Sequence, residues 1–109
     1  MPSYSRNEIV LVRFPFSNLS SAKIRPAVVV NGPHLSEDLF LVPLTSKTNR
    51  LLPGEFVLTD WTAAGLNVIS AVKRGIFTIH ESLVIKSIGT LTASDIAELD
   101  ESLRNWLML

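Results

Sequence analysis

The chain has 109 residues with ten basic and ten acidic side chains, so its formal charge is zero and no net field draws it toward nucleic acid or an anionic membrane. It has no cysteine, which excludes disulfides, thiolate metal sites and cysteine nucleophiles. One domain is expected, and a hydrophobic share of 47% is a high load for so small a core, which predicts a buried dimer interface.

The N-terminal MPSYSRNE is polar, and no apolar run approaches the ~20 residues of a bilayer span. A soluble, unexported, cytoplasmic protein with no membrane partner is therefore expected. Short β-branched segments then follow one another: EIVLVRF, PAVVV, LFLVPL, EFVL and LVIKSIG each read as a strand. Alternation in the first puts Ile9, Leu11 and Arg13 on one face and Val10, Val12 and Phe14 on the other, with water reaching the sheet near Arg13. PFSNLSSAK reads as a mobile loop, of the kind that covers a site. Pro43 inside LFLVPL predicts an edge or bulged strand. Residues 60–68 read as a short helical turn or loop, with Gly65 and Gly75 as breaks. From Thr92 the period changes: Thr92 and Asp95 resemble a capping pair, and Ile96, Leu99, Leu103, Trp106 and Leu107 recur at helical spacing. One amphipathic helix over about 92–107 should close a small, mostly β fold.

Arg25 precedes Pro26 and three buried-looking valines, Val28, Val29 and Val30. Proline biases Arg25 toward extended backbone, so the guanidinium stands at the mouth of a rigid strand and can be aimed. A planar fork of donors there suits phosphate or carboxylate; it equally suits an arginine that caps the sheet edge or pairs with a carboxylate. PLTSKTNR gathers Thr45, Ser46 and Lys47 after a strand end, able to donate to phosphate and base edges or to form an ordinary polar turn. Lys73 and Arg74 add charge beside Gly75. His80, at the end of a short apolar segment, is the better candidate for a general acid or base, whereas His34 reads as a turn residue. Two distant histidines define no metal site, and neither a Gly-rich phosphate loop nor a Ser-His-Asp spacing is present.

Taken together, EIVLVRFPF, RPAVVV, FLVPLTS, GEFVL, SAVKRGIFTI and IGTLTASDIAELDESLRNWL closely resemble the PemK/MazF toxins of toxin–antitoxin operons over nearly the whole chain. The resemblance implies a small SH3-like (CcdB/PemK-type) barrel with a C-terminal α-helix, working as a homodimer. It implies a metal-independent, cofactor-free endoribonuclease that cuts single-stranded RNA at short sequences and is silenced by a cognate antitoxin protein. Arg25 matches the family's catalytic arginine and Thr45 its hydroxyl residue. Lys47, Lys73 and Arg74, with Ser46, are candidates to hold the RNA, and Phe16 or Trp61 to stack a base. Departures from the family pattern are an acid-free first loop, whose sole charge is Lys23, and Gly75 where some members carry an acidic residue. No general base carries over, which leaves His80, or Arg25 and Thr45 alone. The alternatives are a CcdB-like toxin that binds a protein target such as DNA gyrase, and an inactive antitoxin-binding homologue.

Overall fold

The computed structural model describes residues 4–14, 23–32 and 37–109. Among them, seven strands and one helix follow in chain order: β1 (Glu8–Phe14), β2 (Lys23–Val29), β3 (Asp38–Thr45), β4 (Phe56–Val57), β5 (Ala71–Val72), β6 (Phe77–His80), β7 (Val84–Thr90) and α1 (Ala93–Leu107). All pairings are antiparallel, in the order β4-β5-β3-β2-β1-β7, with β6 also on β3. The ladder ends at β4 and β7, so the expected barrel is a curled, open sheet closed by a helix. No described helix is long and apolar enough to cross a membrane.

Period-2 alternation sorts the side chains into two cores. Ile9, Val28, Val42 and Leu44 point to one face and meet Leu99 and Leu103 of α1. Val10, Val12, Phe14, Ala27, Val29, Leu39, Leu41 and Ile79 form the core on the other face. The first strand divides between its two faces as its sequence predicts, and Arg13 is exposed.

Two expectations need correction. Pro43 does not mark an edge: β3 has β2 on one side and β6 and β5 on the other. The second side changes partner at Val42 and Pro43, between the β6 register ending at Leu41 and the β5 register beginning at Leu44. A residue without an N–H is tolerated at that gap, and its carbonyl still accepts from the Lys73 N–H at 2.9 Å. SAVKRGIFTI divides into two strands, broken at residues 73–76 around the expected break at Gly75, which has φ +145°. The capping pair is also rearranged. Thr92 is the N-cap residue of α1 but makes no side-chain cap bond. Its hydroxyl donates to Asp95 at 3.3 Å, and the fully buried Asp95 carboxylate accepts from the Thr59 N–H (3.0 and 3.1 Å) and hydroxyl (3.0 Å). Set in the first turn, that carboxylate also meets the positive end of the helix dipole.

The C-terminal half of α1 is spent inside the protomer. Ser102 Oγ donates to the Gly54 carbonyl at 2.7 Å, and the Trp106 indole N–H donates to the Pro53 carbonyl at 3.1 Å. Gly54, at φ +87°, lies so close under the Trp106 ring that a Cβ would collide with it. Leu103 is in the core. At the end of the helix Leu107, Met108 and Leu109 are exposed.

Candidate nucleic-acid interface

On the face away from α1, two antiparallel strands turn from apolar to polar toward the same end of the sheet, β2 at its start and β3 at its finish. Along β2 the inward row reads Val29, Ala27, Arg25, Lys23; along β3 it reads Leu39, Leu41, Pro43, Thr45. The β2–β3 pairing ends at Ala27 and Pro43, and Arg25 and Thr45, each two residues beyond it, line one cavity. A period of two thus carries the second core straight into a polar mouth.

That mouth is a cavity of about 340 Å³ lined by Phe14, Lys23, Arg25, Pro43, Leu44, Thr45, Lys47, Lys73, Arg74 and Phe77. Five of the chain's ten cations meet there, and no carboxylate lines it. Like charges held together repel unless an anion completes them, so the cluster is built to receive one. Arg25 is exposed and has no ion-pair partner among the described residues, which include every Asp and Glu of the chain. The reading of Arg25 as a partner for a carboxylate therefore has no support. Thr45 Oγ1 accepts from the Lys47 N–H at 3.1 Å, an arrangement that leaves the hydroxyl proton able to donate.

Lys73 and Arg74 are fixed by their backbones. The Lys73 N–H donates to Pro43 O at 2.9 Å, and the Arg74 N–H donates to Glu55 Oε2 at 2.7 Å. The other oxygen of Glu55 accepts from the Leu52 N–H at 2.7 Å. Partial burial raises the Glu55 pKa, but the N–H groups of Arg74 and Leu52 and the charges of Lys73 and Arg74 outweigh it, holding the carboxyl below the usual range.

The remaining candidates fall elsewhere. Ser46 lines a second cavity, with Ile24, Val68 and Lys86, which also touches Arg25. Trp61 packs against the helix-side core instead of facing the cavity. Phe16, His34 and most of the first loop lie outside the described residues. His80 pairs with Asp38 at the far end of β3, seven residues from Thr45, or roughly 23 Å at 3.3 Å per residue. Its Nε2 meets Glu37 Oε2 at 2.7 Å, while Nδ1 accepts from the Ser82 N–H at 3.1 Å and lies 2.8 Å from Ser82 Oγ. Within one protomer His80 is a cap for the 3-10 turn at Glu81–Leu83, not a neighbour of Arg25. Sequence reasoning passed over three cavity residues, Lys23, Phe14 and Phe77. The first was accessible, since Lys23 and Arg25 alternate; Phe77 was hidden by the break in its strand.

Among the described residues no three His, Asp or Glu side chains are grouped as ligands for an ion. No curated protein is significantly similar in sequence. Solved structures are. An endoribonuclease in complex with its cognate antitoxin from a mycobacterial species has TM-score 0.79 at 17% identity, over 98% of this chain and 97% of that one. The Mycobacterium tuberculosis toxin MazF-mt6 has TM-score 0.72 at 26% identity, over 94% and 97%. A MazE–MazF structure from Deinococcus radiodurans has TM-score 0.77 at 18% identity, over 97% and 96%. The profile of PemK-like, MazF-like toxins matches residues 5–107, nearly the whole of a chain whose fold and cation-lined cavity have just been described, and the chain accordingly belongs to that family of toxins of type II toxin–antitoxin systems.

Proposed function

We propose that the chain is the toxin of a toxin–antitoxin pair and cleaves single-stranded RNA at short sequences without a metal ion. The observation that carries this reading is the convergence of Arg25, Thr45 and four further cations on one acid-free cavity. RNA supplies its own nucleophile: the 2′-oxygen attacks the adjacent phosphorus, the P–O5′ bond breaks, and the products are a 2′,3′-cyclic phosphate and a 5′-hydroxyl. The protein has to align these groups and stabilise the charge that grows on the phosphoryl oxygens. Arg25, always protonated, donates to those oxygens from a strand end anchored in the core, and Thr45 adds its hydroxyl proton. Lys23, Lys47, Lys73 and Arg74 hold the flanking phosphates. Among the described residues no carboxylate or imidazole lines the cavity, so water takes the 2′-hydroxyl proton and supplies one to the departing 5′-oxygen, and electrostatic stabilisation is the chief contribution of the protein.

The working form is a homodimer in the cytoplasm, joined through exposed apolar side chains such as Ile24, Val68 and Ile69. An acidic antitoxin segment silences it by covering the cations. The acid-free cavity also suits a second reading, a toxin that binds a protein target instead of cutting RNA.

The deciding experiment incubates purified protein with long mixed-sequence RNA in EDTA, beside Arg25→Ala, and maps the new ends. Discrete cuts with cyclic-phosphate and 5′-hydroxyl termini are expected, slowed about a hundredfold to a thousandfold in the variant. Growth inhibition by folded protein with no cleavage would overturn the ribonuclease reading in favour of the second.

A further inference from the structure

We infer that the turn at residues 52–55 is a strut through which the C-terminal half of α1 positions Arg74 at the cation-lined cavity, with Glu55 as the positioning residue. The inference rests on the reading of the cavity as an RNA site. It starts from an oddity of charge. Glu55 lies close enough to Lys73 and Arg74 for their charges to act on its carboxyl, and an anion beside cations that hold phosphate works against them. Yet among the described residues Glu55 forms no ion pair with either side chain. Both of its oxygens are taken up by backbone: Oε2 accepts from the Arg74 N–H and Oε1 from the Leu52 N–H, each at 2.7 Å. A carboxylate used in this way fixes the chain at Arg74 and leaves the guanidinium for a ligand.

The far end of the strut is the helix. Within the turn the Glu55 N–H donates to the Leu52 carbonyl at 2.9 Å. The carbonyls of the two residues between them, Pro53 and Gly54, accept from the Trp106 indole and the Ser102 hydroxyl. Ser102 is 4% exposed, so its bond is shielded from water, and Leu99 and Leu103 anchor the same helix in the core. Hydrogen bonds thus run from α1 through the turn and Glu55 to the Arg74 N–H. Lys73 is held independently, by its own N–H on the Pro43 carbonyl at 2.9 Å, so loss of the strut should free Arg74 and leave Lys73 in place. A long side chain on a fixed backbone has less freedom to lose when phosphate binds, which is worth about twofold to tenfold in affinity.

The test compares the native chain with Glu55→Gln, Trp106→Phe and the two combined. Hydrogen exchange is read at the Arg74 and Lys73 amides, whose chain neighbours are the same in every variant. Arg74 should exchange faster in each variant, no faster in the combination than in Glu55→Gln alone, with Lys73 as in the native chain. An Arg74 amide unchanged in Trp106→Phe, or a Lys73 amide released equally, would overturn the inference. The second measurement is binding of a mixed-sequence 2′-O-methyl oligoribonucleotide, which lacks the attacking hydroxyl and cannot be cut. Its Kd should rise about twofold to tenfold in Glu55→Gln, although that substitution removes a negative charge, and by a smaller factor in Trp106→Phe, which changes no charge. Tighter binding by Glu55→Gln would mean that the carboxylate acts through charge alone, and would sink the strut. So would native affinity in a variant whose Arg74 amide is released. With cleavable RNA, KM should rise and kcat should hold, since Arg25 and Thr45 are untouched. Release of Arg74 in variants of a chain that binds no RNA would sink the RNA reading and keep the strut. Ser102→Ala, which deletes the other bond from the helix to the turn, carries the same measurements if Trp106→Phe unfolds.

Discussion

The two faces of the sheet begin from the same material and end differently. On one, Ile9, Val28, Val42 and Leu44 are covered by α1, and the polar groups buried there, Asp95 and Ser102, have hydrogen-bond partners within the protomer. On the other, the rows that start with Val29 and Leu39 run out into Arg25, Lys23 and Thr45, which line the cavity. The difference teaches where stability and function divide: burial is completed on the helix side, while the cavity side keeps donors unsatisfied for a ligand to complete. Substitutions on the two faces should therefore fail in different assays.

The largest effect should come from Leu99→Ala. Leu99 is fully buried between α1 and the sheet, and its truncation should cost about 2–5 kcal/mol in denaturant unfolding while cleavage per folded molecule stays unchanged. Loss of RNA cleavage in molecules shown to be folded would break the division. Next comes Asp95→Asn. An amide nitrogen in place of one carboxylate oxygen turns a donor toward the Thr59 or Thr92 donors, leaving a buried group unsatisfied at about 1–3 kcal/mol. Unfolding monitored in parallel with cleavage separates this from any effect on the cavity.

Thr45→Val tests the opposite face. It keeps the shape but removes both the acceptor for the Lys47 N–H and the proton proposed to reach phosphate. Stability should move by less than about 1 kcal/mol, since the N–H can turn to water, while kcat falls about tenfold, equivalent to ~1.4 kcal/mol. A large drop in melting temperature with kcat intact would make Thr45 a structural residue.

Much of this division could be read from the sequence, for reasons of period. Alternation in EIVLVRF and the 3.6-residue spacing from Ile96 to Leu107 placed the first strand and the closing helix, because both are set by one side chain after another along a continuous element. Arg25 was legible because Pro26 marks its strand mouth. What was not legible depended on partners distant in the chain. Pro43 reads as the mark of an edge or bulged strand until β6 and β5 are seen to divide the side of β3 between them. Asp95 reads as a helix cap until Thr59, 36 residues earlier, supplies its donors. Trp106 reads only as one of the apolar helix stripe until the positive φ of Gly54 and the Pro53 carbonyl give its indole N–H a partner. His80 looked catalytic by its residue type, yet its position was decided by a register with Asp38 that no local pattern announces.

Glu55 and His80 sharpen the comparison with smaller effects. The folded-state pKa of Glu55 is lowered, so the stability it contributes is complete above the unfolded value of about 4.5 and is lost as pH falls through the folded value. Glu55→Gln should remove that acid-side slope, read as unfolding midpoints across pH 3–6, and should loosen Arg74 enough to raise KM for RNA modestly with kcat near native. A fall in kcat with KM unchanged would instead put the carboxylate in the chemistry. His80→Ala should do least. The ring caps an exposed turn through Ser82 and Glu37, so its loss should cost well under about 1 kcal/mol, as surface substitutions do. The pH–rate profile of cleavage should superimpose on the native one. If His80→Ala instead changed the shape of that profile, the proton would be passing through His80 of a second protomer. The cavity described within one chain would then be only part of the site.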